Sequence, residues 1–125
     1  MLLALAVTSL TLAQKSSLVR IHENVRVTPY PQEEHALYIN PSPLLVPANM
    51  RTAEYLQFEL SQNRQFPKNK TISSKPLPWC MFNPHKILAN GTWYWRFRSV
   101  DKNGTKGAWS KTYNFTVTKD IPQFV

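Results

Sequence analysis

Tyr94, Arg96 and Arg98 stand two residues apart within Gly91-Thr92-Trp93-Tyr94-Trp95-Arg96-Phe97-Arg98-Ser99-Val100-Asp101. In an extended strand successive side chains point to opposite faces, so these three form one row. A guanidinium can fork onto a carboxylate or a sulfate, and an aromatic face can stack on a sugar ring or a cation. Lys102, Lys106 and Lys111 follow closely in the chain. Together the six residues are a candidate surface for an acidic glycan, or for contact with a neighbouring domain. The same pattern also fits a plain solvent face on which the arginine stems pack over Tyr94.

Catalytic chemistry is harder to find. General acid–base catalysis needs a base and an acid within reach of one reacting centre, and a group that neutralises the charge developing there. His22, His35 and His85 are scattered, with no partner at motif spacing, and Glu33-Glu34 is the sole carboxylate pair. Nucleotide-binding loops, zinc-protease helices and serine-hydrolase elbows are absent from the sequence. With Cys80 the lone cysteine, an intrachain disulfide is excluded, and the residue is expected to fill space as a small buried hydrophobe. The chain is therefore expected to be non-catalytic, with no metal site and no cofactor.

The elements that must position the arginine row are short and extended. Trp93, Trp95, Phe97 and Ser99 alternate with the row, so one face builds a core while the other faces out. Leu56, Phe58 and Leu60 alternate with Gln57, Glu59 and Ser61, and Tyr113, Phe115 and Val117 alternate with Asn114 and Thr116. Both stretches read as half-buried antiparallel strands. Asn103-Gly104 marks a turn between the last two. Asn40-Pro41-Ser42-Pro43 and Pro47 restrict the region of Leu44-Leu45-Val46 to a short strand. Gln62 to Lys75 is polar, with Phe66 and Ile72 as isolated anchors, and Pro76-Leu77-Pro78-Trp79 is a proline-bracketed aromatic that suits a plug or an edge strand. Ten prolines, three glycines and no helical period in 125 residues point to a single all-β unit of six or seven strands.

Met1 to Ala13 carries no charge and is too short to span a bilayer, which needs about 20 residues. It has the length of a signal-peptide core and ends in small residues, so cleavage after Ala13 and a secreted or periplasmic location are expected, without stable membrane insertion. Residues 14–35 read as a linker or a loosely attached first segment, with Val25-Arg26-Val27 as a strand-like fragment. Fifteen Lys and Arg against seven Asp and Glu give a net charge of +8, which favours polyanionic partners. Export argues against nucleic acid among them. Sequons at Asn69, Asn90, Asn103 and Asn114 fall mostly in turns, where Asn and Thr are common anyway.

The stretch Gly91 to Asp101, followed by Gly104 and Ala108-Trp109-Ser110, resembles the last hairpin of fibronectin type III domains. Tyr55-Leu56-Gln57-Phe58-Glu59-Leu60-Ser61 with Phe66 is similar to that fold's middle strand, and Asn40-Pro41 with Pro47-Ala48 to the entry of its second strand. In combination these pieces resemble the N-terminal domain of heparinase II/III-type polysaccharide lyases over roughly residues 36–125. The resemblance implies an immunoglobulin-like (fibronectin type III-like) antiparallel β-sandwich over residues 36–120. It further implies that residues 121–125 begin a connection to a downstream catalytic domain, which would be this module's partner. The implied role is structural support for a secreted lyase, with acidic polysaccharide as a second contact. The alternative is a free-standing secreted carbohydrate-binding or adhesion module. The sequence departs from the family at Val46, where Trp is frequent. It departs again at Trp93, which takes the inward corner position usually held by a hydrogen-bonding Tyr. Trp93 has a donor but no hydroxyl.

Overall fold

A computed structural model describes residues 28–32, 36–37 and 40–118. The expected signal segment 1–13, the Val25–Val27 fragment and the exit segment 121–125 lie outside these residues. The strands in chain order are β1 (Ala36–Leu37), β2 (Leu44–Leu45), β3 (Tyr55–Ser61), β4 (Thr71–Ser73), β5 (Met81–Phe82), β6 (Gly91–Val100) and β7 (Tyr113–Val117). Helical structure among the described residues is confined to two single 3-10 turns, Ala48–Met50 and Lys68–Lys70. Each follows a proline, Pro47 or Pro67, whose fixed φ suits the first position of a turn.

The longest strand, β6, is central. It pairs antiparallel with β3 over seven residues and with β7 over five, giving a five-stranded sheet of order β1-β7-β6-β3-β4. β2 and β5 form a second, two-stranded antiparallel sheet. The antiparallel expectation needs one correction: β1 runs parallel to β7, with Ala36 opposite Thr116. A parallel neighbour needs no hairpin, and β1 comes from the far end of the chain.

The alternating faces behave as their residues dictate. Leu56, Phe58 and Leu60 of β3, Trp93, Trp95 and Phe97 of β6, and Tyr113, Phe115 and Val117 of β7 are buried in one cluster with Leu44, Val46 and Leu88. Trp95, Phe58 and Phe115 are among the largest fully buried side chains, and burying each stabilises the fold by about 1.5–3 kcal/mol. Rings pack in offset contact, with Trp95 at 5.1 Å from Tyr113 and 6.4 Å from Phe58 between centroids. Burial also raises the Tyr113 hydroxyl above its ordinary pKa, because the ionised form loses water.

The packed unit reaches N-terminal of Ala36, where the sequence alone placed its start. Tyr30 exchanges two backbone hydrogen bonds with Leu45, of 2.9 and 2.7 Å. Pro31 is fully buried, and its carbonyl accepts a 2.7 Å bond from Trp95 Nε1. A little further along the chain, the Asn40 side chain completes a strand-like pairing: Nδ2 donates to the Leu88 carbonyl and Oδ1 accepts from the Leu88 amide, at 2.7 and 2.8 Å. Asn is one of few residues able to satisfy a peptide unit from both sides.

Trp93 is buried at the start of β6, and its Nε1 donates 2.8 Å to the carbonyl of Ala89, four residues upstream, so the indole donor is satisfied by local backbone. Trp93→Phe keeps most of the ring and removes only the donor. It should cost about 1 kcal/mol in urea-induced unfolding; an unchanged midpoint would show that the bond carries no stability.

Two local expectations are corrected. Of the two expectations for residues 76–79, an edge pairing is found at Leu77, which exchanges backbone hydrogen bonds of 2.8 and 2.7 Å with Leu56, whereas Trp79 is no plug: it is 57% exposed. Cys80 and Phe82 pack on the core, so Trp79 and Met81 alternate to the outside. Cys80 itself is half-buried against the core rather than enclosed. The polar stretch 62–75 also contains a strand, β4, with Leu60 opposite Ile72.

Candidate functional site

The outer face of the five-stranded sheet carries the arginine row. The register sets Glu59 directly opposite Arg96 and Gln57 opposite Arg98. Arg96 binds Glu59 Oε1 through Nε at 2.9 Å and Nη2 at 2.7 Å. Arg98 Nε donates 2.9 Å to Gln57 Oε1, while Gln57 Nε2 is tied to the Ser74 carbonyl at 3.2 Å. Each guanidinium is thus held at its Nε by an adjacent strand.

Aromatic rings hold the guanidiniums from the other direction. Arg96 Cζ lies 4.2 Å from the centroid of the Phe66 ring and 4.4 Å from that of Trp109. Arg98 Cζ lies 4.1 Å from the same Trp109 ring. Phe66, Arg96, Trp109 and Arg98 form a continuous chain of cation–π contacts, each worth about 0.5–2 kcal/mol according to how dry it is. Phe66 reaches this position from a left-handed backbone, φ 52°, immediately before Pro67.

Trp109 gets there through a bulge. Continued from Trp95 opposite Tyr113, the β6–β7 register would set Phe97 opposite Lys111. Instead Ser110 takes that place: its amide donates 2.7 Å to the Phe97 carbonyl and its hydroxyl accepts from the Phe97 amide at 3.0 Å. Lys111 and Thr112 then face the single residue Arg96. One extra residue shifts the side chains just beyond it to the other face. Trp109 therefore leaves the core side, where plain alternation with Tyr113 and Phe115 would have put it, and lands beside the arginines. Lys111 stays on the core side of the bulge, its Nζ 5.1 Å from the centroid of the Tyr113 ring.

The six residues expected to act together are therefore split. Tyr94, Arg96 and Arg98 do share one face. Tyr94, however, has Arg64 over its ring at 5.1 Å, and Arg96 is neutralised by Glu59. Lys102 and Lys106 are exposed in the β6–β7 loop. That loop is closed by the Asp101 carboxylate, which accepts from the Asn103 and Thr105 amides. Lys111 is not part of the row. Four residues missed from the sequence, Phe66, Trp109, Glu59 and Gln57, complete the face. The available signal was that the polar positions of β3 and β6 are complementary, acid or amide against arginine.

A depression of about 410 Å³ is lined by Ser61, Gln62, Asn63, Lys70 and Trp93. Its Ser61 hydroxyl, Gln62 amide nitrogen and Asn63 carbonyl are already engaged with neighbouring backbone. Among the described residues no group of three His, Cys, Asp or Glu is placed to hold a metal, and no helix is long and apolar enough to cross a membrane. Comparison with known proteins finds no matching family model and no matching curated relative.

Proposed function

We propose that this chain is a non-catalytic, fibronectin type III-like module of a secreted heparinase II/III-type polysaccharide lyase, which supports the catalytic domain and contacts acidic polysaccharide. The observation that carries the reading is the strand arrangement around β6. β3, β6 and β7 lie side by side in one sheet and β2 pairs with β5 in the other, the division found in immunoglobulin-like sandwiches. The Trp93–Ala89 bond at the start of β6 stands where the corner bond of that fold stands. The family motifs quoted above supply the step from sandwich to lyase module.

Two measurements test this. Incubated with heparin, chondroitin sulfate or polygalacturonate, the chain should yield no unsaturated uronate product by ultraviolet absorbance. Genomic sequence following Val125 should continue into a helical toroid. Unsaturated product would overturn the non-catalytic reading, and a stop codon after Val125 would favour the free-standing binding module instead.

A further inference from the structure

The two arginines of the row are chemically unequal, and we infer that Arg98 alone is the receptor of this face for a carboxylate or sulfate on an acidic polysaccharide. The choice of polymer rests on the proposed function; the choice of residue rests on geometry. The described residues carry three carboxylates, Glu54, Glu59 and Asp101. Glu59 is bound to Arg96 at 2.7 Å. Glu54 Oε2 accepts from the Lys102 amide at 3.1 Å. Asp101 Oδ1 accepts two amides of its own loop. No carboxylate among the described residues reaches Arg98, whose hydrogen-bonding partner is the neutral Gln57.

Arg98 is also preorganised. Its Nε is fixed by Gln57 and its plane by the Trp109 ring at 4.1 Å, so the side chain has already lost most of its rotamer freedom. Its two Nη groups are left to offer a fork to an oxyanion. Binding to a fixed fork costs less entropy than binding to a free arginine or lysine. The exposed Lys102 and Lys106 lie on the loop that follows β6 and add positive potential without geometric demand. Arg96 differs because both its Nε and its Nη2 are spent on Glu59.

The test is isothermal titration of the whole chain with a heparin oligosaccharide, which bears sulfate and carboxylate, and with an oligogalacturonate, which bears carboxylate alone. Four proteins are compared: parent, Arg98→Gln, Arg98→Lys and the charge control Lys68→Gln, which removes an exposed cation from the turn Lys68–Lys70. Arg98→Gln is expected to weaken binding roughly tenfold. Arg98→Lys, which keeps the charge but loses the fork, should lose most of that amount. Lys68→Gln should lose less than twofold. A loss on both oligosaccharides, or on one, supports the inference and names the oxyanion. If Arg98→Gln weakens binding no more than Lys68→Gln, the assignment to Arg98 is overturned while the module reading stands. If the parent binds neither probe, the assignment falls together with the polysaccharide contact of the proposed function. Thermal midpoints of all four proteins are recorded alongside, and a folded Arg98→Lys keeps the comparison valid should Arg98→Gln be unstable.

Discussion

Trp95→Ala is expected to cost about 3–5 kcal/mol, a large share of the roughly 5–15 kcal/mol that typically holds a domain folded. Trp95 is fully buried and contacts Phe58, Phe97 and Tyr113 through its ring. Removing it leaves a cavity in the middle of the cluster that the surrounding, already packed rings cannot collapse to fill. The Pro31 carbonyl also loses the donor that satisfies it at 2.7 Å. Trp95→Phe separates the two effects, because it restores much of the volume without the donor. It should fall between the parent and Trp95→Ala, about 1–3 kcal/mol below the parent. Urea titration followed by far-ultraviolet circular dichroism measures both. A Trp95→Ala midpoint within error of the parent would mean that β6 is not the strand on which the core is built.

The second large effect concerns the outer face. Trp109→Ala should destabilise the chain by about 2 kcal/mol, from two lost cation–π contacts plus lost burial of a half-buried indole. The value is high for a residue outside the core because both guanidiniums lose the surface that orients them. Glu59 would still neutralise Arg96, so the Arg96–Glu59 pair alone should account for well under half of the face's contribution. A double-mutant cycle of Trp109→Ala with Arg96→Ala measures the coupling directly, and about 1 kcal/mol is expected. Additive costs would show that the rings and guanidiniums are merely adjacent. The same cycle asks whether stability on this face comes from stacking or from charge pairing. Raising the salt concentration should leave most of the coupling intact if stacking dominates, since screening acts on charge pairing, here a partly buried pair, and not on ring packing.

Much of this arrangement was legible without coordinates. The alternation in Leu56-Gln57-Phe58-Glu59-Leu60 and in Trp93-Tyr94-Trp95-Arg96-Phe97-Arg98 assigned core and outer faces correctly, because a pleated strand leaves each side chain only two directions. It also brought Tyr94, Arg96 and Arg98 into one row. The all-β character followed from turn residues and prolines that no long helix tolerates. The short strands were less legible. β4 and β5 have three and two residues, too few for a period to show, and they exist because neighbours supply the missing hydrogen bonds.

What the row of arginines can do was decided only in three dimensions. A local pattern says which way Arg96 and Arg98 point, but not what waits across the sheet. Their partners Glu59 and Gln57 come from a strand far earlier in the chain, and only the pairing register sets acid against one arginine and amide against the other. Trp109 is the clearest case. By alternation it belongs with Tyr113 and Phe115 in the core. A single extra residue at Lys111-Thr112 turns it onto the arginine face, since a bulge shifts the alternation of the residues just beyond it. Sequence period therefore determined the two faces of β6, and tertiary pairing decided that one of its arginines is neutralised while the other keeps an open fork. Alternation is a property of one strand, whereas charge compensation is a property of two.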